Sequence, residues 1–365
     1  MNPAQIKKIL VIQQKMIGDV LISSVLCSHL KGQFPGAQLH YAIHQGTLAV
    51  VQGHLDIDHF IISAPKKSGT QWKELRNQIQ RERYDLIVDA YGKLESMMMI
   101  LGSGAAKIFG HKKWFGPLVY TKISKPSGRV YTLAGNAIED RLRLLYSESE
   151  IQEKALEFRP KIYLDENEVN WAKDLLAKHQ LNQGQTLAMV SILGSSLDKS
   201  LPAQTMAQIL TALAQKPRTH ILLNYIPNQK TTVDEILALV PEEHHTNLHP
   251  EVYGQNLREF LAILSQVHYL VGNEGGAVNM AKALDIPTFT LFSPWINKAA
   301  WNSFDDGHTH IGVHLKDFTP ERFSGQSNKE IRKNYQVFYD AFQFELFAGQ
   351  LDAFCQTHNY TSSLK

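Results

Sequence analysis

The sequence predicts an α/β protein built on two doubly wound parallel sheets, and three observations carry that expectation. Strand-like apolar runs alternate with amphipathic segments of helical length along the chain. The runs are continuously apolar, as in KILVIQ (Lys8 to Gln13) and TLAMVSIL (Thr186 to Leu193), which suits strands covered on both faces. The alternation also occurs twice, with the polar break NQGQ after a helix ending at His179, and 365 residues are enough for two cores.

In the first series the expected strands are KILVIQ, QLHYAI (38–43), HFIIS (59–63), DLIVDA (85–90) and AKIFGH (106–111). Helices are expected over Asp19 to Lys31, Gly46 to Gly53, Trp72 to Arg83, Leu94 to Leu101 and Asn136 to Tyr146, with another from Asp165 to His179. The second series has strands TLAMVSIL, HILLNYI (220–226), YLVGN (269–273) and TFTLFS (288–293). Its helices run from Pro202 to Gln215, Thr231 to Val240, Leu257 to Gln266 and Ala277 to Leu284. A tail from Asn334 to Phe354, rich in Phe and Tyr, reads as helix able to pack back across the first domain.

Composition narrows the function. Hydrophobic content of 44% and charge of 20% are those of an ordinary globular protein. The N-terminus lacks the apolar length and cleavage site of a signal peptide, and no run approaches eighteen apolar residues, so a cytoplasmic protein is expected. Cys27 and Cys355 show no paired ligand spacing and read as buried hydrophobes. Up to Asn170 there are 22 Lys+Arg against 17 Asp+Glu, and beyond it 15 against 18, so the halves carry +5 and −3. Between Ser96 and Ile138, Lys107, Lys112, Lys113, Lys122, Lys125 and Arg129 occur without an acid. Such a surface fits an anionic partner or is simply a solvated face; the small net charge and the lack of a recognition motif argue against nucleic acid.

Ligands of doubly wound sheets bind beyond the carboxyl ends of the strands, so the loops after strands matter most. After KILVIQ stand Gly18 and Asp19, without the G-x-G-x-x-G of a dinucleotide site. After TLAMVSIL comes GSSLDKSLP (194–202), whose small residues admit a ligand to the backbone and whose Lys199 offers a positive charge. After YLVGN comes GNEGGAVNMAKAL (272–284), whose paired glycines open onto a helix N-terminus, a ready anion site. Together they suggest two domains facing across a cleft, an acid on one side and a phosphate cradle on the other. Each feature has a plainer counterpart: Asp19 as an N-cap, Lys199 as a solvated lysine, GNEGG as tight strand–helix packing, and Asp89 as a strand-end cap.

Read in order from about residue 7 to about residue 295, KMIGDVLISSVL, YDLIVDAYGKLESMMMI, GSSLDKSLP and GNEGGAVNMAKALDIPTFTLFSP resemble the ADP-heptose:lipopolysaccharide heptosyltransferases. The resemblance implies a GT-B fold with two Rossmann-like domains. Residues 1–165 would bind the acceptor, 166–333 the nucleotide-sugar, and 334–365 would form a helical tail returning toward the first domain. It also implies an inverting transferase needing no metal and no cofactor, with ADP-heptose as donor substrate and lipopolysaccharide core as acceptor. Asp19 falls where the family has its general base, and Lys199 would stabilise the leaving group. Ser195, Ser196, Lys199, Glu274, Gly275, Gly276 and Asn279 are the expected donor-binding residues. Gly18, Asp89, Lys112, Lys113 and Lys122 are the expected acceptor-binding ones. The basic surface, with Trp114 and Phe115 beside it, would also suit an anionic membrane, placing the protein at the inner face of the inner membrane.

Departures from the family pattern lie on the donor side. Asn279 replaces His, Leu201 replaces a Trp, and Gln229 replaces an acid expected to help recognise the nucleoside. They leave open a transferase of the same fold using another nucleotide-sugar. A non-catalytic nucleotide-sugar-binding protein is a further alternative, which retention of Asp19 argues against. A Rossmann oxidoreductase would need a glycine-rich turn after one of the leading strands, and neither has one.

Overall fold

The computed structural model describes residues 6–63, 69–181 and 184–360, so Asn182 and Gln183 of the expected break lie outside the described residues. The chain divides into two compact units. The first runs to Tyr163 and adds Ala299–Phe304; the second holds Leu164–Lys298 and Asp305 onward.

The first unit contains a six-stranded parallel sheet of β1 (Lys8–Ile12), β2 (Gln38–His44), β3 (His59–Ser63), β4 (Leu86–Asp89), β5 (Lys107–His111) and β6 (Lys122–Ser124). Its order is β3-β2-β1-β4-β5-β6. β1 lies inside the sheet and Ile9 to Ile12 are fully buried, which is what a continuous apolar run requires. The winding direction reverses between β1 and β4, whose register sets Ile12 beside Asp89. Loops leaving these two strands therefore open at the switch point.

The second unit repeats the plan with β7 (Thr186–Ser191), β8 (Thr219–Asn224), β9 (Leu248–His249), β10 (Tyr269–Asn273), β11 (Thr288–Phe292) and β12 (His310–His314), in the order β12-β11-β10-β7-β8-β9. Here the switch point falls between β7 and β10. The edge strands β6, β9 and β12 are not anticipated by the sequence. Two are only three and two residues long, and β12 begins and ends in histidine, so each carries too few apolar positions to stand out.

Two expected elements change form. The helix expected over Asp19 to Lys31 is two helices, Ile17–Ser23 and Val25–Gln33, because the Ser24 hydroxyl donates to the Leu21 carbonyl (2.8 Å) and tightens the turn between them. The segment near Gly46 is a 3-10 turn, Gln45–Val50, capped by His44, whose Nδ1 accepts from the Gly46 amide at 3.1 Å.

The C-terminal tail corrects the sequence expectation. It belongs to the second unit, where Phe338, Tyr339, Phe342, Phe347, Leu351 and Phe354 are buried in one core with Val190, Leu213, Tyr269 and Phe289. The Phe354 ring lies 5.6 Å from those of both Tyr269 and Phe289. Burying each such side chain is worth roughly 1.5–3 kcal/mol, so the aromatic stripe settles on the apolar surface of the sheet that completes its own unit. What returns to the first unit is Ala299–Phe304, where Phe304 is buried, donates its amide to the Leu133 carbonyl and lies under the Arg159 guanidinium at 4.6 Å.

Phe354→Ala is expected to cost about 3–5 kcal/mol in denaturant unfolding. Hydrogen exchange should quicken in β10 and β11 while β1 and β4 keep their protection; the reverse pattern would place the tail on the first unit.

Candidate functional site

In the first unit Asp19 stands in the first turn of Ile17–Ser23. Its Oδ2 accepts from the Met16 amide at a long 3.4 Å, so a capping contact is present but weak. The stronger partner is Arg141, whose Nη2 donates to Oδ1 at 2.6 Å. Arg141 is itself positioned, with Nη1 donating to the Ala137 carbonyl (2.8 Å) and Nε to the Ser23 hydroxyl (3.1 Å). The Asp19 side chain remains 28% exposed, enough to meet a ligand, and half-buried Gly18 adjoins it. Sequence reasoning missed Arg141 because it lies 122 positions away; its only signal was a basic residue in the helix of NAIEDRLRLL.

Two expected acceptor residues are redirected. Asp89 is fully buried and its oxygens are taken by the Gly92 amide (2.9 Å), the Ser96 hydroxyl (2.8 Å) and the Tyr120 hydroxyl (2.7 Å). Burial raises its pKa against those three donors, and the group ties down the loop after β4 without facing a ligand. Lys122 donates to the Leu145 carbonyl (2.9 Å) and lies 5.2 Å from the Phe109 ring, and burial lowers its pKa. Phe115, expected beside the basic surface, is buried in the core. Lys112, Lys113, Lys125 and Arg129 are exposed, as are Trp114 (84%) and Leu118 (78%).

His111 ends β5 with an unpartnered Nδ1. Burial first, then the charges of Arg141, Lys113 and Arg143, push its pKa down to about 4.

In the second unit the structure brings together Lys199 and Glu274, from opposite sides of the switch point, with Lys199 Nζ 3.2 Å from Glu274 Oε1. Two glycines allow it. A Cβ at Gly272, where φ is +131°, would stand 2.5 Å from the Ser191 carbonyl oxygen, and one at Gly194 would stand 2.3 Å from that of Lys199. Gly275 then caps the helix Gly276–Ala283, whose opening amides lack intrahelical partners, and Asn279 lies within that helix. Ser195 and Ser196 are exposed, and the Ser196 hydroxyl donates to Asp198 Oδ1 at 2.5 Å. Burial would raise the Asp198 pKa, but this bond and Arg332, whose Nε donates to Oδ2 at 2.6 Å, hold it below the usual carboxylate range.

The same loop meets Trp295, whose Nε1 donates to the Asp198 carbonyl at 2.8 Å. The indole has two cations over it, Lys199 Nζ at 5.4 Å and the Arg332 guanidinium at 4.5 Å. Trp295, Arg332 and the role of Asp198 were missed, although Asp198 and Trp295 stand in or beside the motifs singled out.

A hollow of about 310 Å³ lies where β8 and β9 end, lined by Tyr225, Pro227, Lys230, Pro250, Glu251 and Tyr253. Two aromatic and two proline rings suit a flat heterocycle. Gln229, in the loop after β8, accepts from the Ile226 amide (3.1 Å) and donates to the Gly194 carbonyl (3.1 Å), so it braces the Lys199 loop. A larger hollow of about 780 Å³ adjoins Leu187 and His268, at the amino ends of β7 and β10, opposite the carboxyl ends where ligands of doubly wound sheets bind.

The profile of glycosyltransferase family 9 (heptosyltransferase) matches residues 72–330. The chain belongs to that family. A glycosyl transferase family 9 structure from Veillonella parvula is 15% identical, covers 91% of this chain and 97% of that one, and superposes with a TM-score of 0.69. E. coli ADP-heptose LPS heptosyltransferase II is 15% identical over 91% of this chain and 98% of that one, with a TM-score of 0.66. E. coli heptosyltransferase WaaC, solved with ADP-2-deoxy-2-fluoro heptose, is 16% identical over 91% and 99%, with a TM-score of 0.60. This family 9 glycosyltransferase therefore has the GT-B heptosyltransferase fold. The matched segment includes Lys199, Glu274 and Trp295; Asp19 precedes it and Arg332 follows it.

The pKa of His111, held below the ordinary 6.5, carries a pH dependence. The unfolded chain binds the proton first, so this stability is complete above about pH 6.5 and is lost as pH falls toward 4, at no more than about 1.4 kcal/mol per pH unit. Urea unfolding from pH 7 to 4 should show a shallower slope in His111→Asn.

Proposed function

We propose that this family 9 glycosyltransferase moves heptose from ADP-heptose to the inner core of lipopolysaccharide, by single displacement with inversion and without a metal ion. The observation that carries the donor half is the Lys199–Glu274 pair at the mouth of a glycine-capped helix, a positive charge and a set of amides at one switch point. In this reading the acceptor hydroxyl attacks the anomeric carbon and its proton passes to Asp19 Oδ2, while Arg141 holds Oδ1. The bond from the anomeric carbon to the phosphate oxygen breaks, and the nucleoside diphosphate leaves with the electron pair. Lys199 and the amides at Gly275 and Gly276 receive the charge, with Ser195, Ser196 and Asn279 as neutral donors nearby. The base would rest between Tyr225 and Tyr253. The solved relative carrying an ADP-heptose analogue supports this donor class.

A second donor, another nucleotide-sugar, is favoured by two residues. Asn279 is uncharged, and the Gln229 side chain is spent on the loop backbone.

The acceptor half rests on Gly18, Asp19 and the exposed Lys112, Lys113, Lys125 and Arg129, a basic surface for a phosphate-rich core. No helix among the described residues is long and apolar enough to cross a membrane. Exposed Trp114 and Leu118 beside the lysines suit peripheral docking on an anionic surface at the cytoplasmic face of the inner membrane.

Transfer should be assayed with ADP-heptose and a panel of other nucleotide-sugars on extracted lipopolysaccharide acceptors. Asp19→Asn is expected to lower kcat by about 10²-fold or more with nucleotide affinity retained. Nucleotide binding without turnover of any donor would mark a binding protein on a transferase scaffold. Removing the charges of Lys112, Lys113 and Lys125 together should weaken binding to anionic acceptor vesicles at low salt, and unchanged binding would refute the docking surface.

A further inference from the structure

Arg332 lies near the end of the short helix Asn328–Lys333, far in sequence from every motif of the site, yet it shares one indole with Lys199. Its guanidinium is 4.5 Å from the Trp295 ring, its Nε donates to Asp198 Oδ2 at 2.6 Å, and its side chain is 56% exposed. An exposed ion pair of this kind contributes at most about 1 kcal/mol to stability, so the fold gains little by holding it. Drawing two like charges to one ring is itself unfavourable. Each is offset by its own carboxylate, Asp198 for Arg332 and Glu274 for Lys199. The cluster is thus near neutral when empty and presents two cations to whatever enters. The neighbouring helix start adds only neutral donors, its amides and Asn279.

An anion with two charged groups is the ligand that rewards this arrangement. We propose that Arg332 is the second cation for the diphosphate of the donor: Asp198 and Trp295 hold the guanidinium by Nε and by one face, and its remaining N–H groups grip one phosphate while Lys199 meets the other. A guanidinium presents a planar fork that matches two phosphate oxygens, which an ammonium does not. The inference rests on the donor-site reading and deepens it, giving the donor diphosphate a side-chain contact from a helix beyond the sheet loops.

The test compares ADP and UDP with AMP and UMP, by calorimetry, on wild type, Arg332→Gln, Arg332→Lys and Lys199→Gln. Arg332→Gln should weaken whichever diphosphate binds by about tenfold or more and its monophosphate by less than about threefold, with kcat reduced. Arg332→Lys should recover part of the loss, and it carries the same diphosphate-selective test if Arg332→Gln folds poorly. Diphosphate affinity unchanged within about twofold in Arg332→Gln, while Lys199→Gln loses it, would overturn the proposal and leave the donor site standing. Equal losses for diphosphate and monophosphate would also overturn it. Failure of wild type to bind either diphosphate would overturn the donor-site reading and this proposal together.

Discussion

Three hydrogen bonds of one buried side-chain amide set the geometry on which the candidate site of the second unit depends. Asn273, 1% exposed at the end of β10, accepts from the Leu201 amide at 2.9 Å and donates to the carbonyls of Ser191 and Ile192 at 3.1 and 3.0 Å. It thereby stitches β10 to the end of β7 and to the far end of the Lys199 loop. Within that loop the Ser200 hydroxyl donates to the Ser196 carbonyl and accepts from the Gly194 amide, both at 2.9 Å. Each contact contributes only about 1 kcal/mol, but losing one partner in a dry site costs about 1–3 kcal/mol, so the loop has few cheap alternatives. Lys199 projects from a closed ring of backbone, and its approach to Glu274 follows.

The two units use one topology for opposite electrostatics. At the switch point of the first, an acid is fixed by a cation, Asp19 by Arg141. At that of the second, cations are fixed by acids, Lys199 by Glu274 and Arg332 by Asp198. Charges oriented before a ligand arrives need little reorganisation when charge moves. Lys199 and Arg332 are thus held by carboxylates, whereas Lys122 donates to a backbone carbonyl.

How much could be read in advance followed the distance over which each residue is decided. Asp19, Lys199, Glu274, Gly275 and Gly276 were legible because a strand followed by a small or charged residue at a helix start is a local pattern. Asp89 had the same local credentials, at the end of β4, but the Tyr120 hydroxyl reaches it from 31 residues away and takes it into the core. Lys122 looked like part of a basic surface until the Leu145 carbonyl gave its ammonium a partner. Gln229 was read as a lost acid and is a brace for Gly194.

The sequence by itself determined the α/β class, the central strands, the doubled plan and the loops in which charge would gather, because apolar periodicity and glycine placement act over a few residues. Tertiary structure alone decided which of those charges stay available. Arg141 meets Asp19 across 122 residues and Arg332 meets Asp198 across 134, separations that leave no periodic trace. It also decided where the aromatic tail goes, since an apolar stripe specifies that it must be buried but not against which sheet, and only the shape of the core around Tyr269 and Phe289 makes that choice.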